Sequence, residues 1–272
     1  CPTGASYKRA EDGIVLVNED ACIGCGLCAW ACPYGARELD QAAGVMKKCT
    51  LCVDRIYNEN LPEEDREPAC VRSCPTGARH FGDFADPDSK VSRLSAERVW
   101  IIDPIDGTNE FAEHPRHDWA IHIALWESGE LTAASVALPT LGITFDASPA
   151  AVVPPSTRAK PLLVTSRSRN PYCAVMVANA LGCDVARLGS AGAKAMAIVM
   201  GEADIYVHDG GMYQWDSAAP AAVALAAGLH VSRIDGSPLE YNTPDTWLPD
   251  FFVCRPEYTD AILHAIWGRD PR

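Results

Sequence analysis

The chain has 272 residues, 48% of them apolar, enough for a sizeable core in one large or two ordinary domains. Its formal charge is −13, with 16 acidic and 12 basic residues in 1–98 against 20 and 11 in 99–272. That balance argues against binding the phosphate backbone of nucleic acid, and no run of about 18 apolar residues marks a membrane span. The opening CPTGASYKRAEDG has no apolar signal region, which predicts a cytoplasmic location, and no initiator Met, which suggests that residue 1 is not a natural start. A phosphorylated substrate on so acidic a chain calls for a bound cation to supply the positive field.

Nine of the twelve cysteines fall within residues 1–74. Residues 22–33 read CIGCGLCAWACP, which places Cys22, Cys25, Cys28 and Cys32 at C-x2-C-x2-C-x3-C spacing before Pro33. Three thiolates so spaced wrap one face of an iron–sulfur cube, and the fourth, before Pro, serves a second cube. Cys49 and Cys52 follow in CTLC, then Cys70 and Cys74 in CVRSCPTGA. A crossed pairing gives Cys22, Cys25, Cys28 and Cys74 to one 4Fe–4S cluster, and Cys32, Cys49, Cys52 and Cys70 to another. Disulfides do not suit a chain without a secretion signal. Zinc can use two C-x2-C elements but leaves the x2-x2-x3-Pro run unexplained. CPTGA occurs at 1–5 and again at 74–78, so Cys1 reads as the last ligand of an earlier cluster pair.

From Val99 the pattern changes. VWIID is a β-branched, apolar run that predicts a buried strand delivering Asp103. PIDGT then turns, and Asp103, the Ile105 carbonyl and Asp106 make a corner of hard oxygens suited to Mg²⁺. The N–H groups of Gly107, Thr108 and Asn109 would cradle a phosphate if a helix begins there. DWAIHIALWE, LTAASVALP and GITFDAS predict further strands, and PPSTRAKP over 154–161 a Pro-rich linker. LLVTSRS, PYCAVMVANALG, AKAMAIVMG and ADIYVHD then alternate strand and helix, predicting an α/β layer. In QWDSAAPAAVALAAG, Asp216 precedes an Ala-rich helix, as a helix cap or as a further metal ligand. His114, His117 and His122 show no ligand spacing and are assigned surface or core roles. Cys173, Cys183 and Cys254 read as small buried hydrophobes.

Residues of about 1–97 resemble the 4Fe–4S electron-transfer subunit of the dimethyl-sulfoxide-reductase (molybdopterin oxidoreductase) family, through EDACIGCGLCAWACPYGAR, KKCTLCVDRI and PACVRSCPTGARHFGDFADPDSKVS. That resemblance implies electron relay between a molybdopterin catalytic subunit and a membrane anchor subunit, with any membrane association coming through those partners. Residues of about 93–268 resemble the inositol-monophosphatase superfamily, through DPIDGT, WDSAA, GSAGAKAMAIVMGEADIYVHDGG and HVSRIDGSPLEYN. Within it they are similar to bacterial 3'(2'),5'-bisphosphate nucleotidases.

The second resemblance implies a Mg²⁺-dependent phosphomonoesterase acting on 3'-phosphoadenosine 5'-phosphate, with roughly two or three ions at the site. It implies Mg²⁺ ligation by Asp103, Ile105, Asp106 and Asp216, and a catalytic place for Thr108. Gly107 and Thr108 would hold the scissile phosphate, with Asn109 beside them. Gly189, Ser190, Ala191 and Lys194 would lie at the nucleotide side, and Asp209 near a sugar hydroxyl. It also implies a metal-binding glutamate pair upstream of the strand. Residues 75–98 hold no such pair, Asp83 being the acid nearest the required distance, which predicts impaired phosphatase activity.

The predicted fold class is α+β: a dicluster ferredoxin-like module, then a truncated inositol-monophosphatase-type layered α/β sandwich. Residues 1–98 form the partial 4Fe–4S module. Residues 99–157 form the metal- and phosphate-binding part of the phosphatase fold, and 158–272 its C-terminal α/β part. The two resemblances meet at RLSAER, residues 93–98, as in a chimera. The alternative reading is an electron-transfer subunit carrying a non-functional C-terminal graft.

Overall fold

The computed structural model describes residues 1–32, 35–76, 79–83, 85–93, 96–169 and 171–268. Pro33 of the Cys-Pro run, Gly77 and Ala78 of the second CPTGA, and Leu94 and Ser95 of the expected seam lie outside the described residues. The chain divides into two compact units, Cys1–Asp83 with Asp88–Val91, and Phe84–Pro87 with Ser92–Arg272. No helix among the described residues is long and apolar enough to cross a membrane.

The first unit is built from very short pieces. Strands β1 (Ser6–Lys8) and β2 (Val15–Val17) pair antiparallel, as do β3 (Glu38–Asp40) and β4 (Val45–Lys47). Single helical turns α1 (Leu27–Trp30), α2 (Val53–Ile56) and α3 (Ala69–Arg72) carry or follow the cysteines. Among the described residues its buried apolar side chains are those of Ala5, Ile14, Val45, Met46 and Pro68. So small a core cannot offset the entropy of ordering the unit, and units of this kind depend on metal–thiolate cross-links.

The second unit is layered. Strands β5 (Arg98–Asp106), β6 (Ala120–Glu127), β7 (Glu130–Leu138) and β8 (Ile143–Asp146) form an antiparallel meander, with the short helix α4 (Thr108–Ala112) after β5. A second sheet comprises β9 (Leu162–Ser166), β10 (Asp184–Leu188), β11 (Ile205–His208), β13 (His230–Ser232) and β15 (Phe251–Cys254), in the order β10-β9-β11-β15-β13. Its first three strands are parallel and the last two pairings antiparallel. The two-residue strands β12 (Met212–Tyr213) and β14 (Trp247–Leu248) pair separately. Helices α5 (Tyr172–Leu181), α6 (Ala191–Val199), α7 (Gln214–Ala226) and α8 (Thr259–Trp267) complete the unit.

Helices α6 and α7 lie between the two sheets, in one core with Ala124, Val136, Tyr206 and Phe251. Every residue of α6 is buried, and small alanines let both sheets close on it. Helices α5 and α8 cover the other face of the second sheet, around Leu163, Val177, Val207, Phe252 and Ile262. Covered on both faces, β11 and β15 are apolar almost throughout. The meander differs. Val99 and Ile101 point inward, while Trp100 (60% exposed), Ile102 (49%) and Ile123 (40%) stand on its outer face.

Candidate functional site

The strand expected at VWIID is β5, and it ends as a metal corner would require. Asp103 and Asp106 are three residues apart, so on a regular strand their side chains would point to opposite faces. The register against β6 shifts between them, and this bulge turns both inward. The Ile105 N–H donates to Asp103 Oδ1 at 3.0 Å. Gly107, at φ 87, sits in the left-handed region as the cap of α4, and the Thr108 hydroxyl donates back to the Ile105 carbonyl at 3.2 Å. A helix therefore does begin at the predicted place. The buried Glu110, 3.2 Å from Arg167, anchors it.

Asp216 arrives from α7, its carboxylate accepting the Tyr213 N–H at 2.7 Å. Asp103, Asp106 and Asp216 bring ligand oxygens within 4.8 Å of one another, the one such acidic group among the described residues. No Lys or Arg among the described residues forms an ion pair with any of the three. Burial, then the Asp106 charge, pushes Asp103 above the usual carboxylate range. Burial raises Asp216 to about 6, with Asp106 and Asp103 adding to the shift. Crowded, buried carboxylates whose charged forms burial and one another disfavour fit a divalent cation, which would offset their charge.

Asp106 behaves differently. Burial opposes its charge, but His122, the Ser190 hydroxyl and the Gly192 N–H outweigh burial and hold it below its usual range. Ser190 donates to Asp106 Oδ2 while accepting the Ala193 N–H at 2.9 Å as the cap of α6. Gly192 N donates to the same oxygen at 2.7 Å. His122 is fully buried, with Nε2 3.2 Å from Asp106 Oδ2 and Nδ1 3.1 Å from the Trp215 carbonyl. Burial disfavours the imidazolium, yet the Asp106 carboxylate prevails and raises His122 above its usual range.

Asp106 and Asp216 line a cavity of about 210 Å³ with Ala191, Lys194, Arg169 and His208. The Lys194 ammonium donates to the Gly189 carbonyl, and to that of Ser190 at 2.8 Å, while burial lowers it to about 8. Gly189 N–H is held by Asp118 at 2.7 Å. Asn109 is exposed. Asp209 is engaged elsewhere: its carboxylate accepts the Cys173 N–H at 2.8 Å at the start of α5. Asp83, Asp86 and Asp88 are exposed, and the carboxylate trio has no fourth acidic member among the described residues. Sequence reasoning passed over His122, Arg169 and His208. His122 left one readable signal, its inward parity between the small residues Ala120 and Ala124 on an alternating strand.

In the first unit, Cys22, Cys25 and Cys28 line a small cavity with Cys1, Ala5 and Met46. Cys74, the expected fourth partner, is not among the residues of that lining, and Cys1 takes the place beside the trio. The Met46 N–H reaches Cys22 Sγ at 3.4 Å and, with the Gly24 N–H, draws that thiol below its usual range. The Ala69 N–H reaches Cys52 Sγ at 3.4 Å. No three thiols among the described residues converge within 4.8 Å as the carboxylates do. Four thiolates on one zinc would stand about 3.8 Å apart given Zn–S bonds of about 2.3 Å. Among the described residues, no three thiols of the first unit stand so close.

Residues 1–84 match a 4Fe-4S dicluster domain, and residues 76–269 match the inositol monophosphatase family. A 3'-phosphoadenosine 5'-phosphate phosphatase of Mycobacterium bovis is 47% identical over 189 residues, 65% of this chain and 69% of that protein. A sulfite dehydrogenase subunit of Allochromatium vinosum is 57% identical over 126 residues, 45% of this chain and 52% of that protein, so the chain spans about half that relative's length. An inositol monophosphatase from Zymomonas mobilis has a similar fold, with a TM-score of 0.55 at 21% identity over 64% of this chain and 72% of that one. Joined to a 4Fe–4S module like that of the sulfite dehydrogenase relative, the chain belongs to the inositol monophosphatase family.

Proposed function

We propose that the second unit is a Mg²⁺-dependent phosphomonoesterase acting on 3'-phosphoadenosine 5'-phosphate, with the metal held by Asp103, the Ile105 carbonyl, Asp106 and Asp216. The convergence of three carboxylates, two of them lining a cavity shared with Lys194, carries this reading. The mycobacterial relative supports the choice of substrate. Bound Mg²⁺ supplies a Lewis acid for the phosphoryl group and lowers the pKa of water. The chain's own groups do the rest. Gly107, Thr108 and Asn109 orient phosphate oxygens with their N–H groups at the start of α4. Lys194 offsets negative charge, and Gly189, Ser190 and Ala191 line the nucleotide side.

The trio lacks a fourth acid among the described residues, so the expected activity is weak. The test is phosphate release from 3'-phosphoadenosine 5'-phosphate by the full chain. Slow release that needs Mg²⁺ and is abolished in D103N supports the proposal. Release that does not depend on Mg²⁺, or none at all, favours a non-functional graft on an electron carrier.

For the first unit the reading is an electron carrier with two 4Fe–4S clusters that docks to a molybdopterin-containing catalytic subunit and a membrane anchor. Cys22, Cys25 and Cys28 would take Cys1 as fourth ligand, and Cys49, Cys52 and Cys70 would take Cys32. Anaerobic preparation should then yield about eight iron and eight acid-labile sulfide per chain. C1S should lower that content and C74S should not; the reverse pattern would restore the crossed pairing.

A further inference from the structure

We propose that His122 is a positioning residue that fixes the metal-binding carboxylates of this site, an inference that rests on the metal-site reading above. Its ring touches every element that supplies an acid. On β6 it is the cross-strand partner of Asp103. Its Nε2 lies 3.2 Å from Asp106 Oδ2. Its Nδ1 lies 3.1 Å from the carbonyl of Trp215, one peptide bond from Asp216. A carbonyl only accepts, so Nδ1 carries a hydrogen and the ring orientation is set by α7.

The packing around the ring is built for it. A Cβ on Gly192 would stand 2.0 Å from His122 Nε2, so residue 192 must lack a side chain for the ring to reach Asp106. Between Ala120 and Ala124, an aliphatic side chain would fill this buried place without the cost of burying an imidazole. The imidazole adds a fixed link from Asp106 to the N-terminus of α7. With Ser190 and Gly192 donating to Oδ2 and His122 Nε2 standing 3.2 Å from it, Asp106 keeps Oδ1 to present to a cation. Partners of this kind set the angle and basicity of a ligand, and losing one typically costs 10–100-fold in metal affinity.

The test uses the full chain with Mn²⁺ or Mg²⁺ alone as the probe, read as the metal concentration giving half-maximal thermal stabilisation and, for Mn²⁺, by the electron spin resonance of the free ion. H122F should raise the half-saturating concentration roughly 10–100-fold. H122Q, whose amide reaches toward Asp106, should recover most of it, and G192A, which pushes the ring off Asp106, should act as H122F does. Wherever turnover is measurable, the metal requirement should rise while KM for the phosphate ester stays as in the parent chain. If H122F does not fold, the contrast between G192A and H122Q still decides. Half-saturation as in the parent for H122F or G192A overturns the role of His122 while leaving the metal site standing. No stabilisation of the parent chain by either metal overturns the metal site, and the role of His122 with it.

Discussion

Replacing Asp216 with Asn should make the metal-free protein more stable at pH 8, although it removes a group at the centre of the site. In the folded chain burial, reinforced by Asp106 and Asp103, raises Asp216 from 3.8 to about 6. The sign is opposite to that of a salt-bridged carboxylate. The folded state holds this proton more tightly than the unfolded chain. The cost is absent below about pH 4, grows between 4 and 6, and is complete above 6. At about 1.36 kcal/mol per pH unit the rise corresponds to about 3 kcal/mol, and partial solvent access to Asp216 trims this to roughly 1–2 kcal/mol. An Asn oxygen can still accept the Tyr213 N–H, so the helix start survives. For a unit of this size each kcal/mol moves the melting point by roughly 2–4 °C. D216N in EDTA should therefore melt roughly 2–8 °C above the parent chain at pH 8, and the gap should close as pH falls toward 4. Tryptophan fluorescence is a suitable probe, because Trp100, Trp119, Trp126, Trp215, Trp247 and Trp267 all lie in the second unit. Saturating Mg²⁺ should reverse the order by stabilising only the parent chain. A gap that does not change with pH, or a D216N that melts lower at pH 8 in EDTA, would refute the reasoning.

Lys194 titrates the other way. Burial lowers it from 10.5 to about 8, so its cost is fully present below pH 8 and is lost as pH rises toward 10.5. Urea unfolding at pH 7.5, 9 and 10.5 should show the parent chain gaining roughly 2–3 kcal/mol on K194M across that window. Gly211 lies at φ 74, and a Cβ there would stand 1.9 Å from the Trp247 ring. G211A should lose at least about 2 kcal/mol in the same assay. Asp204 is fully buried, accepts the Leu162 N–H at 2.9 Å and holds the buried Arg255 at 2.8 Å. D204A leaves that guanidinium uncompensated and should cost about 3–5 kcal/mol, while a D204A/R255M double variant should recover part of the loss.

The elements of the second unit were legible because their patterns are local. VWIID is a β-branched apolar run, IYV of β11 is apolar before His208, and the alanines around Pro220 mark a largely buried helix. Pro104 marked a break between Asp103 and Asp106, but that β5 continues past it through a bulge against β6 was not legible in β5 alone. His122 escaped for a related reason. Its role depends on Gly192 and Trp215, 70 and 93 residues away, and becomes visible only once α6 and α7 are laid on the sheet. Cysteine spacing pointed to the cluster type, while the fourth ligand of each cluster depends on how the chain folds back. Thiols at fixed intervals fix which three face one way, whereas the fourth comes from wherever the chain folds back. Here Cys1, which the sequence offered as the last ligand of an earlier cluster pair, lines the cavity beside Cys22, Cys25 and Cys28.

The outer face of the meander bears on whether the phosphatase half is intact. In a layered fold a sheet is covered on both faces or its outward positions are polar. On β5 and β6 the outward positions are Trp100, Ile102 and Ile123, with Ile102 and Ile123 directly paired. That pattern belongs to a covered sheet, yet these side chains are 40–60% exposed, with Trp100 and Ile102 lining a cavity beside Trp215. Asp103 lies on the opposite face of β5, next in line after Ile102, held by the bulge and by His122. The two faces therefore answer to different neighbours. The inner one is set by α6 and α7, which this chain contains in full, so the carboxylate trio keeps its geometry. The exposed tryptophan and isoleucines therefore bear on the outer face alone, and the carboxylate trio does not depend on what covers them.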